Sequence, residues 1–287
     1  MNLFKPQTTI RNAQPEDRQQ LANLIHFEIH VHRHLDWRTP LEWIGSPPYL
    51  VLEQHKSLLA ALACPPDPRQ VAWIRLFAAA HALSAERAWD LLWAETLDQF
   101  KAFEEVRWVA ALALWPWFVD LLEKRGFTED NRVVMLNWDG GEITPVRFSP
   151  ELVIRPMNLD DIPLVEAVDA AAFSQIWQNS QMGLSLAYRQ AAVATVAELN
   201  GQMVGYQIST ATPIGGHLAR LAVLPGYQGQ GIGLALVQDM LLQFRRRSAQ
   251  RITVNTQKDN PASLQLYQKV GFYRTGEEYP LFVYRLQ

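Results

Sequence analysis

The sequence Arg220-Leu221-Ala222-Val223-Leu224-Pro225-Gly226-Tyr227-Gln228-Gly229-Gln230-Gly231-Ile232-Gly233 joins an apolar strand to a glycine-rich turn and the start of a helix. Pro225 and Gly226 end the strand pattern, and glycines then alternate with other residues up to Gly233. Glycines at a helix start leave backbone N–H groups uncovered at the positive end of the helix dipole. Such a turn receives phosphate groups, so the stretch predicts a phosphate-bearing ligand.

Two common phosphate-binding loops do not match this turn. A P-loop ends in Gly-Lys-Ser/Thr, whereas Gly233 is followed by Leu234 and Ala235. The dinucleotide-binding fingerprint has a different glycine spacing and needs an acidic residue about 20 positions later, where this chain has residues 252–254, Ile-Thr-Val. The turn also lies close to the end of the sequence, which leaves too little chain for a doubly wound sheet.

A second block of sequence follows the turn. Residues 252–255 are mostly β-branched and predict a strand. Asn260 and Pro261 then begin a short helix that contains Tyr267 and ends at Gly271-Phe272. Together, the Gln-x-x-Gly-x-Gly turn after a Leu-Ala-Val strand and this second block resemble the GNAT superfamily of N-acetyltransferases. The resemblance covers roughly residues 153–287.

The resemblance implies an acetyl-CoA site in this half of the chain. In GNAT proteins the turn cradles the pyrophosphate, and the pantetheine arm enters between two parallel strands that splay apart. Asn260 is expected either to contact the coenzyme or only to cap its helix. Acetyl-CoA is the expected co-substrate, and no metal is expected. The expected cofactor-binding residues are Leu221, Ala222, Val223, Gln228, Gly229, Gln230, Gly231, Ile232, Gly233 and Asn260.

Acyl transfer to an amine requires proton transfers, and the sequence offers a few candidates for them. Tyr267 is the expected acid that protonates the leaving thiolate, and the alternative is that it only packs. His217 is a candidate base near the start of the strand, although it also fits an ordinary loop histidine after two glycines. Glu198 is a further candidate beside a hairpin turn. Direct attack with proton loss through water needs neither His217 nor Glu198.

The acceptor is expected to be a primary amine of a small molecule. The alternatives are a protein N-terminus or lysine, or a regulatory protein that binds acyl-CoA without turnover. Early helices and the following hairpin cover the acceptor in GNAT folds, so Phe173, Trp177 and Tyr206 are candidate acceptor residues, with core packing as the alternative for each.

The two halves of the chain repeat each other. Ile10-Arg11 and Asp17 match Ile154-Arg155 and Asp161 at an offset of 144, as 154 − 10 and 161 − 17 show. Further matches occur at an offset of 145, namely Arg75-Leu76 with Arg220-Leu221 and Lys124-x-Gly126-Phe127 with Lys269-x-Gly271-Phe272. Landmarks in the same order at nearly constant offset indicate two copies of one domain.

The first copy lacks the residues on which the ligand prediction depends. At the offset of 145, Gln228, Gly231 and Gly233 correspond to Leu83, Glu86 and Ala88, while Asn260 and Tyr267 correspond to Trp115 and Leu122. A carboxylate at the helix start would repel a phosphate. This copy is therefore expected to bind no acetyl-CoA and to pack against the second copy or shape a wall of its substrate pocket.

These patterns predict the fold class and the domains. The fold is α/β (α+β) with two tandem GNAT-like domains, each a mixed, largely antiparallel twisted sheet flanked by helices and containing a splayed parallel strand pair. Residues 8–138 are the degenerate domain, 139–150 a Gly- and Pro-rich linker, and 151–287 the catalytic domain. The protein is expected to be a monomer, as an internal pseudo-dimer, or a homodimer.

Composition excludes several other classes. The chain has 287 residues and a net charge of −3, which gives no reason to expect a nucleic-acid partner. Cys64 is the single cysteine, so no internal disulfide is possible, and a cytoplasmic location is expected. The apolar run 108–119 is too short to span a membrane. His26, His30 and His34 recur at a metal-like helical spacing, but no carboxylate or cysteine cluster accompanies them.

Overall fold

A computed structural model of the chain describes residues 8–143, 148–212 and 215–286. Contacts divide the chain into a first unit, Met1–Asp130 with Pro280–Gln287, and a second unit, Asn131–Tyr279. The strands are β1 Thr8–Asn12, β2 His30–Arg33, β3 Tyr49–Gln54, β4 Ser57–Ala63, β5 Val71–Trp73, β6 Leu76–Ala79, β7 Trp108–Leu112, β8 Thr128–Trp138, β9 Leu152–Pro156, β10 Val193–Leu199, β11 Gln202–Thr212, β12 Gly215–Val223, β13 Arg251–Gln257 and β14 Tyr273–Arg285. The helices are α1 Arg18–Phe27, α2 Ala85–Phe100, α3 Pro116–Glu123, α4 Ile162–Ala172, α5 Gln181–Gln190, α6 Ile232–Arg246 and α7 Pro261–Lys269.

The second unit is a mixed sheet in the order β8-β13-β12-β11-β10-β9. Its neighbours are antiparallel except for β12 and β13, which are parallel. The β10–β11 hairpin turns at Asn200-Gly201, and both residues have positive φ, as a two-residue hairpin turn requires. Helix α6 buries an apolar face built around Leu236, Val237 and Met240. The predicted fold class is confirmed.

The first unit contains a five-stranded antiparallel sheet, β1-β3-β4-β6-β2, and a second set of paired strands, β5-β7-β14. Its core holds large aromatic side chains from α2 and α3, among them Trp89 and Phe118, which are fully buried. Strands β5 and β7 are parallel, as β12 and β13 are in the second unit.

The parallel pair of the first unit also splays apart, but another strand fills the opening. β5 pairs with β7 up to Trp73, and the chain then leaves β7 at Arg75, whose N–H donates to the carbonyl of Ala63 on β4. Strand β2 pairs antiparallel with β6 on the side that β7 has left. His32 on β2 is buried, stacks on Phe118 and lies 3.1 Å from the Ile74 carbonyl oxygen through its Nε2. His30 and His32 therefore lie in a strand and His34 follows it, so His26, His30 and His34 do not line one face of a helix.

The boundary between the units differs from the predicted one. The end of β8, from Val133 to Trp138, pairs with β13 in the second unit. The end of β14, from Leu281 to Arg285, pairs with β7 in the first unit. Each compact unit therefore contains the final strand of the other sequence copy, and the boundary lies at Asp130/Asn131 rather than in residues 139–150. Of that predicted linker, 144–147 lie outside the described residues.

Side-chain contacts repeat along with the sequence. Arg155 binds the Asp161 carboxylate with both Nη atoms at 2.7 and 2.9 Å, and Arg11 binds Asp17 in the same way at 2.7 and 2.8 Å. In each case the aspartate also accepts a backbone N–H at the start of the following helical turn. This shared arrangement supports descent of both halves from one domain.

Candidate active site

The parallel strands of the second unit separate halfway along β12. Their pairing runs from Gly215 to Leu218 on β12 and stops opposite Val254 on β13. A bulge leaves Ala219 without a partner on β11, after which β12 continues to pair with β11 up to Val223. The second half of β12 thus keeps one neighbour and exposes its other backbone edge toward the opening beside β13.

Alternation along β12 decides which backbone groups face this opening. The N–H of Leu224 donates to the Val204 carbonyl at 2.8 Å, so the backbone groups of Ala222 also face β11. The backbone N–H and C=O groups of Leu221 and Val223 face away from β11, toward the opening. Of the three strand residues predicted to contact the pantetheine arm, only Leu221 and Val223 therefore present backbone groups to it.

The turn after β12 adopts the conformation that its glycines allow. Gly229 has φ +77° and Gly231 has φ +85°, both in the left-handed region that side chains with a Cβ rarely adopt. A Cβ on Gly233 would come within 3.2 Å of Leu266 on α7, so this glycine permits close packing of the two helices. Glycine is thus required for backbone conformation at Gly229 and Gly231, and for helix packing at Gly233.

The turn presents the uncovered start of α6. Gly231 occupies the N-cap position and has no side chain with which to cap the helix. The side-chain amide of Gln228 donates to the Val223 carbonyl at 3.0 Å, and that of Gln230 donates to the Gly226 carbonyl at 3.3 Å. These bonds hold the turn while Gln228, Gly229 and Gln230 stay exposed. The arrangement fits an anionic group at the helix N-terminus.

Helix α7 places Asn260 and Tyr267. The Asn260 Oδ1 accepts the N–H of Ser263 at 3.0 Å, which confirms that Asn260 caps the helix. Tyr267 is buried against Phe272, with ring centroids 5.7 Å apart. Burial raises the pKa of Tyr267, and among the described residues no hydrogen bond offsets that shift. Its phenol is therefore protonated at neutral pH and able to donate.

His217 lies at the last paired positions before the strands separate. It stands opposite Thr253 in the β12–β13 register, and its Nδ1 is 2.7 Å from the Thr253 hydroxyl. The Thr253 hydroxyl also lies 3.4 Å from the Gly216 carbonyl oxygen and can donate to it. Burial lowers the pKa of His217, and hydrogen bonds to Asn255 and Thr253 oppose that shift.

Glu198, the other candidate base, is occupied elsewhere. Its Oε1 accepts from Nε and Nη2 of Arg155 at 2.9 and 2.7 Å. The carboxylate therefore belongs to the Arg155–Asp161 arrangement at the start of the second copy.

The predicted acceptor residues meet around a buried ion pair. Arg220 and Asp169 form it, and the fully buried Tyr206 donates its hydroxyl to the Asp169 carboxylate. Phe173 lies under the Arg220 guanidinium, and the Trp177 carbonyl accepts a hydrogen bond from it. The structure thus brings Phe173, Trp177 and Tyr206 together, with Tyr206 in the interior and the other two half-buried.

Sequence analysis missed the part that Arg220 and Asp169 play here. Arg220 stood out only as a landmark of the repeat, and Asp169 lies in an ordinary amphipathic helix pattern. A signal was present, because Arg75 at the matching position of the first copy also occupies a buried ion pair, with Asp36 at 3.0 Å. A charged residue retained on a buried strand of both copies predicts a buried partner.

Comparison with known proteins agrees with this geometry. Residues 162–272, which include β12, the turn, α6 and α7, match the model of the Acetyltransferase (GNAT) family. Residues 162–272 of this chain therefore belong to the GNAT acetyltransferase family. The matched range lies in the unit with the open strand pair and the uncapped helix.

Named relatives of this GNAT protein are similar over parts of their length. N-alpha-acetyltransferase 30 of Schizosaccharomyces pombe is 40% identical over 22% of this chain and 42% of that protein. N-alpha-acetyltransferase RimI of Mycobacterium tuberculosis is 38% identical over 28% of this chain and 51% of that protein. A putative ribosomal protein bS18-alanine N-acetyltransferase of Bacillus subtilis is 25% identical over 43% of this chain and 82% of that protein.

Solved structures share the fold over nearly the whole chain. A GCN5-related N-acetyltransferase from Sphaerobacter thermophilus aligns with a TM-score of 0.64 and 17% identity, covering 98% of this chain and 96% of that one. A tandem GNAT protein from the clavulanic acid biosynthesis pathway aligns with a TM-score of 0.63 and 12% identity, covering 98% and 99%. At these identities the likeness establishes the fold.

Two kinds of feature are absent from residues 8–143, 148–212 and 215–286. No group of three or more histidine, cysteine, aspartate or glutamate side chains is arranged there to hold a metal ion. Within the same part of the chain, every helix is too short or too polar to cross a membrane.

Proposed function

We propose that the second unit transfers the acetyl group of acetyl-CoA to a primary amine. One observation carries this proposal: the open edge of β12 runs directly into an uncapped, glycine-rich helix start. The N–H groups from Gly229 to Gly233 would bind the diphosphate, and the backbone of Leu221 and Val223 would pair with the pantetheine arm. Asn260 would act through its cap, which fixes the start of α7.

The proposed proton transfers use His217 and Tyr267. Acetyl-CoA supplies an activated thioester. Burial keeps His217 neutral at pH 7, so its imidazole can accept the proton that the amine must lose. Tyr267 keeps its proton at that pH and can donate it to the leaving sulfur. At pH 7 His217 is therefore ready to accept a proton and Tyr267 to donate one, as a base and an acid must be.

The acceptor that we favour is an α-amino group at a polypeptide N-terminus. The names of the relatives support this choice, since they include N-alpha-acetyltransferases and alanine N-acetyltransferases. An α-amine has an ordinary pKa near ~7.8, well below the ~10.4 of lysine, so a neutral histidine is a sufficient base for it. The small-molecule amine expected from the sequence is the second candidate, and a cytoplasmic setting suits both.

The first unit is proposed to bind no acetyl-CoA. Strand β2 occupies the opening between its separated strands. In addition, the hydroxyl of Ser84 accepts the N–H of Arg87 and so caps α2, which in the second unit corresponds to the uncapped α6.

Acetyl transfer to defined amines tests the proposal. The full chain is incubated with acetyl-CoA and either an alanine-initiated hexapeptide, the same hexapeptide with a blocked N-terminus, or glucosamine, and products are identified by mass spectrometry. Acetylation of the free peptide and not of the blocked one is expected. Acetylated glucosamine alone would favour the small-molecule acceptor. Binding of acetyl-CoA without any product would overturn the enzymatic proposal and leave a regulatory protein.

A further inference from the structure

A buried ion pair joins strand β12 to helix α4 in the second unit. Arg220 donates from Nε to Asp169 Oδ2 at 2.7 Å and from Nη2 to Oδ1 at 2.9 Å. Asp169 is fully buried, and the Arg220 side chain retains 13% of its exposure. Paired hydrogen bonds of this kind fix orientation as well as distance, because both groups are planar.

The ion pair also holds the segment 173–180, which links α4 to α5 and is called the acceptor loop below. The Phe173 ring centroid lies 3.6 Å from the Arg220 guanidinium carbon. Farther along, the Trp177 carbonyl accepts from Arg220 Nη2, and the N–H of Asn179 donates to Asp169 Oδ1 at 2.9 Å. The loop is therefore attached to one ion pair near its start, its middle and its end.

The anchored loop lies on the same face of β12 as His217. Leu218, Leu221 and Val223 pack against α6. Because the bulge at Ala219 adds one residue, alternation places His217 and Arg220 together on the opposite face. Along a strand, three residues span roughly 10 Å. The side chain that holds the acceptor loop and the candidate base therefore start from the same face of β12, roughly 10 Å apart.

We propose that Arg220 and Asp169 are positioning residues that hold the acceptor loop and thereby set the affinity for the amine acceptor. This inference rests on the proposed function. Arg220 acts through the loop, since its Nε and Nη2 are already engaged by Asp169 and Trp177. The side chains of Phe173 and Trp177 are the parts of the loop that would shape the acceptor pocket.

Arg220→Lys tests the geometry of the ion pair while it keeps the positive charge. A lysine ammonium can pair with Asp169, but it cannot bind both carboxylate oxygens side by side, reach the Trp177 carbonyl and stack on Phe173. The matched control is Arg75→Lys in the first unit, where Arg75 pairs with Asp36 and lies 4.8 Å from the Trp43 ring. Both substitutions alter a buried arginine at equivalent positions of the repeat, so their general destabilisation is comparable.

Kinetics and amide hydrogen exchange of the full chain provide the readouts. For Arg220→Lys, the KM for the alanine-initiated hexapeptide is expected to rise about tenfold, with kcat and the KM for acetyl-CoA within about twofold of wild type. Amides of residues 173–180 are expected to exchange faster. Arg75→Lys is expected to change neither the peptide KM nor exchange in the acceptor loop. Tyr206→Phe removes one hydrogen bond to Asp169 and should give a smaller change of the same kind, which provides a test if Arg220→Lys does not fold.

The outcomes separate this inference from the proposed function. If wild type acetylates neither the hexapeptide nor glucosamine, the proposed function and the role of the loop in acceptor affinity both fail. If wild type is active and Arg220→Lys, or Tyr206→Phe in its place, leaves the acceptor KM and loop exchange unchanged, the inference alone is overturned. A rise in the KM for acetyl-CoA equal to that for the acceptor would also overturn it, because it would indicate general damage to the unit.

Discussion

The two units share a scaffold and differ at the ligand-binding end of one strand pair. Each has a parallel pair that separates, a buried arginine ion pair, and a helix that follows the central strand. In the second unit no strand of the described residues enters the opening, and the helix starts at Gly231 without a side-chain cap. In the first unit β2 pairs within the opening and Ser84 caps the helix. The comparison predicts that a splayed pair alone makes no coenzyme site, since its edge and the helix start must both remain available.

The exchange of final strands gives the largest expected effect. Phe282 belongs to the second sequence copy but is buried in the core of the first unit, so Phe282→Ala should destabilise that unit by about 3–5 kcal/mol. Hydrogen exchange should accelerate in β3 and β7. The reciprocal variant Leu136→Ala should act on the second unit, because Leu136 lies in its core. If Phe282→Ala accelerated hydrogen exchange only in β12 and β13, the assignment of the end of β14 to the first unit would be wrong.

The helix start can be made to resemble that of the first unit. Gly231→Glu places a carboxylate and a Cβ at the N-cap of α6, where φ is +85°. Glu86 is the matching residue at the sequence offset of 145 and lies two residues after the Ser84 cap of α2. Affinity for acetyl-CoA in calorimetry should fall about 100-fold, equivalent to ~2.7 kcal/mol. The control Glu86→Gly should leave affinity and stoichiometry unchanged, since β2 still fills the opening of its unit. A second equivalent of bound acetyl-CoA in that control would refute the comparison.

The two units also differ at the proposed acid. The second has Tyr267, and the first has Leu122 at the matching position of the repeat. Tyr267→Phe should lower kcat about 100-fold with little change in acetyl-CoA affinity, because only the donated proton is lost. Tyr49→Phe is the control, since it removes another buried hydroxyl, from the first unit. Equal kcat values for the two variants in single-turnover assays would remove the acid role and leave Tyr267 as a packing residue.

The pH dependence of kcat/KM tests His217. The group must be neutral to accept a proton, and burial lowers its pKa below the ordinary 6.5. The rate contribution of His217 is therefore present above pH 6.5 and is lost as the pH falls through the lowered pKa. His217→Gln should reduce the rate about tenfold at pH 7 and abolish this acidic limb, leaving the separate limb set by the α-amine of the acceptor with its own pKa of ~7.8, while the exposed His81→Gln should retain both. An identical acidic limb in His217→Gln would assign it to another group.

Local sequence predicted much of the second unit. The glycine turn, the Asn260 cap and the helix that stops before Gly271 depend on backbone preferences of neighbouring residues, so each was found at its predicted place. The repeat gave the two-copy organisation because matching landmarks need no knowledge of contacts. The helical spacing of His26, His30 and His34 does not correspond to a helix, since α1 ends at Phe27 and His30–Arg33 form a strand.

Amino-acid order was sufficient to specify the GNAT fold, the paired copies and the loss of the glycine turn from the first, because these follow from residue type and short spacing. Folding in three dimensions settled that β2 enters the opening of the first unit, that final strands are exchanged, and that Asp169 meets Arg220. Each of these joins residues far apart in the chain. Such pairings depend on which sheet edges and buried charges remain unsatisfied once the elements have assembled, which no local pattern records.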